Sequence, residues 1–150
     1  MESINKENIE TICNTTTQIK RLFKFDFNIQ ETEMQFQIDS LIIVDEILNK
    51  AINKTGGVNK TGWYEKGGAP QIISLTAYIG AVIINSKKDI TVIPENKKID
   101  LFFLNENADI NFKLSYRESI ILPFNLIQNK IKYGHKYSIY TTVVNYLNID

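Results

Sequence analysis

The side chains best suited to chemistry in this chain are few and scattered. Cys13 is the only cysteine and His135 the only histidine. A thiolate nucleophile with an imidazole base would need those two to meet across the fold. Cys13 stands beside Ile12 in an apolar pattern, the ordinary setting for a small buried thiol. One cysteine and one histidine are too few for a Cys/His metal cluster, and no intrachain disulfide can form. Carboxylates pair as Asp45-Glu46 and as Glu31 with Glu33. Both pairs read as solvated surface charge, because Asp and Glu are rarely buried. No Gly-x-Ser-x-Gly elbow and no Gly-Lys-Ser/Thr phosphate loop occurs. The expectation is no catalytic set, no metal and no cofactor.

Residues suited to recognition are better marked. The segment 53–69, NKTGGVNKTGWYEKGGA, reads as a long glycine-rich loop. Loops of that length without structure of their own are functional or disordered. The only tryptophan, Trp63, stands in it beside Tyr64, with Lys60 and Lys66 on either side. Trp and Tyr bury much area at little entropic cost, so the pair suits a partner-binding tip, and the lysines suit an acidic partner. The competing reading has Trp63 folding back to pin the loop on the core. Lysines also cluster at Lys87-Lys88, Lys97-Lys98 and Lys130/Lys132/Lys136. Acidic residues between those groups favour ordinary charged edges and helix ends over a basic binding face.

The totals bound the answer further. The chain has 150 residues, 43% of them hydrophobic, which suits one domain over 1–150 with a single core. Lys plus Arg and Asp plus Glu both number 17, and neither half of the chain carries a marked excess. That balance points away from nucleic acid and anionic lipid. It also removes a common solubility device, which leaves self-association as a homo-oligomer open. The N-terminus, MESINKENIE, lacks the basic and apolar regions of a secretory signal. The most apolar run, Ile72–Ile84, is short of the roughly 20 residues a membrane helix needs. A cytoplasmic location without membrane association is expected.

The elements that must position these residues follow from periodicity. Ile9, Ile12, Thr16, Ile19 and Phe23 fall at helical spacing, and Phe23, Phe25, Phe27 and Ile29 alternate like a short strand. A second helix begins at Asp39 or Ser40, either of which could cap it, and carries Leu41, Val44, Ile47/Leu48 and Ala51/Ile52 to about Asn53. The run Pro70–Lys88 is apolar almost all round until its closing lysines. Its β-branched content leans to strand, but its length and opening proline favour a buried central helix. Ala77, Gly80 and Ala81 make a small-residue face there. Segments 89–94, 98–104, 110–116 and 119–122 read as an antiparallel meander of three or four strands, with a turn over 105–109. Helices over Phe124–Lys132, ended by Gly134, and His135–Leu147 follow. Helices, then strands, then helices make an α+β fold.

The run Ala77-Tyr78-Ile79-Gly80-Ala81-Val82-Ile83 resembles the central helix of a family of uncharacterised small bacterial proteins, Tyr-aliphatic-Gly-Glu-aliphatic. The segment Ser40-Leu41-Ile42-Ile43-Val44-Asp45 resembles the family's earlier helix. Pro123-Phe124 and Lys130–Gly134 resemble its C-terminal helix. The likeness spans roughly residues 39–147. This chain has Ala81 where the family has Glu, so an activity resting on that carboxylate is not implied. The resemblance implies a small cytoplasmic α+β domain, with a profile like that of immunity proteins.

These readings point to a non-catalytic binding protein. Its most concrete form is a bacterial immunity protein that blocks a cognate toxin, with Trp63, Tyr64, Lys60 and Lys66 as contacts. An enzyme is disfavoured. A small ligand-binding domain or enzyme with a pocket between central helix and sheet stays as one alternative, and a structural subunit of a homo-oligomer as another.

Overall fold

The structure is a computed structural model describing residues 36–55, 68–94, 99–101, 106–108 and 112–148. The helix expected over 4–23, the strand expected over 23–29 and the interior of the 53–69 loop lie outside the described residues.

Helix α1 spans Ser40–Thr55. Its stripe of Leu41, Val44, Ile47 and Leu48 is fully buried, as the spacing requires. The amides of Ser40, Leu41 and Ile42 donate to the carbonyls of Gln37, Ile38 and Asp39. A tightened turn therefore serves those amides. The Ser40 hydroxyl is engaged elsewhere, donating to Gln37 O at 2.5 Å and accepting from Tyr78.

Helix α2, Gly68–Ser86, is the central helix expected from the apolar run. Its 19 residues span about 28 Å at 1.5 Å per residue, far beyond an ordinary strand. Every residue from Leu75 to Ile84 is buried, including Ala77, Gly80 and Ala81. The helix starts two residues before Pro70, so the proline sits in the first turn, where its missing N–H costs nothing. Helix α1 reaches Thr55 and α2 begins at Gly68, so both ends of the expected 53–69 loop belong to helices.

The strands are β1 (Thr91–Pro94), β2 (Ile99–Leu101), β3 (Glu106–Ala108), β4 (Phe112–Tyr116) and β5 (Ser119–Ile121). Strands β1, β4 and β5 form one antiparallel sheet in the order β1-β4-β5. Phe112, Leu114 and Tyr116 alternate inward along β4. Among the described residues, strands β2 and β3 pair with each other alone, as a separate antiparallel ribbon. The described part of the 98–104 run, β2, thus pairs outside the main sheet. Asn105–Asp109, expected as a turn, contains β3, because cross-strand pairing overrides turn composition. Strands β4 and β5 are joined by Arg117 and Glu118, both with positive φ (50° and 69°), the handedness a two-residue hairpin needs.

Helix α3, Pro123–Tyr133, opens on proline and buries Phe124, Leu126, Ile127 and Ile131. Gly134, at φ 68° and ψ −139°, ends it in a conformation open to glycine. A 3-10 turn, Gly134–Lys136, leads to α4, Ile139–Leu147. The last helix is therefore shorter than the periodicity over 135–147 suggests. It starts at its cap, Ser138, whose hydroxyl accepts from Thr141 N at 3.0 Å. Helix α1 packs on α4 and α3, while α2 packs on α3 and touches β3.

Candidate functional site

The densest polar cluster among the described side chains lies where α1, α3 and α4 meet. Asp45 projects from the buried stripe of α1 and is only 8% exposed. One carboxylate oxygen, Oδ1, accepts from Ile139 N at 2.8 Å and lies 3.7 Å from Lys130 Nζ. The other, Oδ2, accepts from Tyr140 N at 3.0 Å and from the Ser138 hydroxyl at 3.3 Å. Asp45 thereby serves the first two amides of α4 and Ser138 the third. A helix N-terminus favours negative charge, and here the charge comes from another helix.

Lys130 reaches the same point from α3. It is 1% exposed, and Nζ donates to Tyr137 O at 2.6 Å. Burial pushes its ammonium below the usual lysine range, and the charge and hydrogen bond of Asp45 offset only part of this. A buried ammonium beside a carboxylate has the ingredients of acid–base chemistry. In this geometry both carboxylate oxygens are taken up by amides, a hydroxyl and the lysine, and the lysine is held by a carbonyl. The cluster fastens three helices rather than facing a substrate.

Two tyrosines make comparable structural ties. Tyr78 of α2 donates to Ser40 Oγ at 2.7 Å and accepts from Phe36 N at 3.3 Å. Its ring packs on Phe36 at 5.1 Å, supporting that residue at φ 57°. Tyr146 of α4 reaches the β4–β5 hairpin, where its hydroxyl lies 2.6 Å from Ser119 O and 3.2 Å from Leu114 O. Burial raises the pKa of that phenol, while a backbone hydrogen bond at Tyr116 works against the rise.

The sequence-derived candidates distribute unevenly. Lys60, Trp63, Tyr64 and Lys66 lie outside the described residues, as does Cys13. His135 is exposed on the 3-10 turn. Two readings need correction. Asp45 is not solvated surface charge, because its place on the α1 stripe carries it to the α4 N-terminus. Lys130 is not an ordinary charged helix-end residue, because its place on the α3 stripe buries it, whereas Lys132 and Lys136 are exposed. Both had a legible signal. Asp45 follows Leu41 by four residues and precedes Leu48 by three; Lys130 follows Leu126 by four and Ile127 by three. Opposite charges on two apolar stripes call for each other, since buried charges must be paired.

Among the described residues, no three His, Cys, Asp or Glu side chains are grouped to hold a metal ion, and no helix is long and apolar enough to cross a membrane. Compared with protein-family models, curated proteins and solved structures, the chain matches none.

Proposed function

We propose that this chain is a non-catalytic protein-binding module, most concretely an immunity protein that occludes a cognate bacterial toxin in the cytoplasm. The observation that carries the reading is the state of the buried charged pair. Asp45 and Lys130 are spent on each other and on the backbone of α4 and its connector. The sequence adds support, with one cysteine, one histidine and no nucleotide or nucleophile motif. The immunity form rests on the resemblance over residues 39–147, and the helix expected over 4–23 belongs to the same proposal. Trp63 and Tyr64 anchor the partner, with Lys60 and Lys66 opposite its acidic groups.

The test is co-expression with the product of the adjacent gene, purified through a tag on that product. Stoichiometric co-elution, lost on Trp63→Ala in a chain that still melts normally, is expected. Absence of co-elution, together with no protective effect in cells expressing that product, would sink the reading.

A further inference from the structure

The connector between α3 and α4 carries an exposed group of cations and aromatics. Tyr133 is 54% exposed, one of three large hydrophobic side chains exposed among the described residues. The Lys132 ammonium lies 5.3 Å from the centre of that ring, and the Tyr137 ring lies 6.4 Å from it. Lys136 and His135 are exposed on the 3-10 turn between the two tyrosines. Among the described residues neither Lys132 nor Lys136 forms an ion pair with a carboxylate. The sequence reinforces this, for no Asp or Glu occurs from Ser119 to Ile149. On α1, which packs beside the connector, Asp45 is buried and engaged with Lys130 and the α4 amides.

The connector is also held from beneath. Lys130 Nζ grips Tyr137 O, Tyr137 N donates to Gly134 O at 3.2 Å, and Ser138 donates to Asp45. Tyr137 packs its ring partly against the core. A surface ordered in this way loses little conformational entropy on binding.

We infer that Lys132, Tyr133, Lys136 and Tyr137 form a preorganised docking surface for an acidic segment of a protein partner. This rests on the proposed protein-binding function and adds to it a second surface. Tyrosine supplies the apolar anchor and the lysines supply charge complementarity. The chain's zero net charge favours an acidic peptide over a nucleic acid, whose binding relies on a broad cationic field.

The test titrates the full chain with a Glu/Tyr-containing acidic peptide and, separately, with a dT oligonucleotide, following amide resonances. The peptide should shift Lys132–Tyr137 in a salt-sensitive way, and Lys132→Glu/Lys136→Glu should weaken it at least about tenfold, or 1.4 kcal/mol. Tyr133→Ala should weaken it too, with both variants melting like the parent. No shift at the connector, an unchanged affinity in the charge-reversed chain, or preferential binding of the oligonucleotide there would overturn the inference. If the adjacent-gene product co-elutes equally well with the charge-reversed chain, this surface fails while the binding function stands. If nothing co-elutes even with the parent chain, it is the binding function that fails.

Discussion

Asp45 and Lys130 show how a charged side chain behaves once a helix stripe carries it inward. Each charge is disfavoured by burial, and each is tolerated because the other sits 3.7 Å away and backbone groups complete the set. Asp45→Ala leaves the ammonium uncompensated and strips two amides of α4, so it should cost about 3–5 kcal/mol in urea denaturation. Asp45→Asn combined with Lys130→Met should cost less than the sum of the two single changes, because no lone charge then stays buried. A double-variant cost equal to the sum of the two single costs would show that the pair is not coupled. The lowered pKa of Lys130 has a definite sign. Between that lowered value and the ordinary 10.5, the unfolded chain binds more protons than the folded one. Stability contributed by this group therefore rises with pH through that window. The difference in urea midpoint between parent and Lys130→Met, followed across alkaline pH, should move in the parent's favour. A flat difference would contradict it.

At the scale of elements, the ends matter more than the middles. Helix α4 starts where Ser138 and Asp45 can serve its amides, not where apolar periodicity begins. Helix α3 stops where Gly134 takes a positive φ. The β4–β5 hairpin is less well suited to its sequence. Arg117 and Glu118 both adopt left-handed conformations that carry a steric cost for residues with Cβ. Tyr116 lies under the Arg117 guanidinium at 5.0 Å, and Tyr146 ties the hairpin to α4. Replacing Arg117-Glu118 with Asn-Gly should raise stability by roughly 1–2 kcal/mol, because that dipeptide enters the turn with less strain. A lower melting temperature would show that the cation–π contact outweighs the strain.

At the scale of the whole molecule, α2 lies deepest among the described elements. Its amides from Leu75 to Ile84 belong to buried residues, and Tyr78 links the helix to the start of α1. Hydrogen exchange should find these amides protected to the level of global unfolding, while the short ribbon β2–β3 exchanges through local opening. Exchange from α2 as fast as from the ribbon would contradict this ordering of stability.

Much of this arrangement was written in local pattern. The α+β order, the buried stripes of α1 and α3, the helical state of the Pro70 run and the glycine stop at 134 all follow from periodicity, length and backbone permissiveness. These are properties of neighbours in the chain, so a sequence shows them directly. Tertiary structure decided the rest. Whether β2 joined the sheet depended on which strands β4 chose, and β4 paired with β1 and β5. Whether Asp45 was a surface charge or a helix cap depended on where α4 came to rest. The acidic and basic members of that cluster lie 85 residues apart, with Ser138 farther still along the chain. Their stripes hint at burial, but partners this distant meet only when the core is packed. The pair of lone residues most suggestive of catalysis, Cys13 and His135, received no structural support of that kind: His135 is exposed, and Cys13 lies outside the described residues.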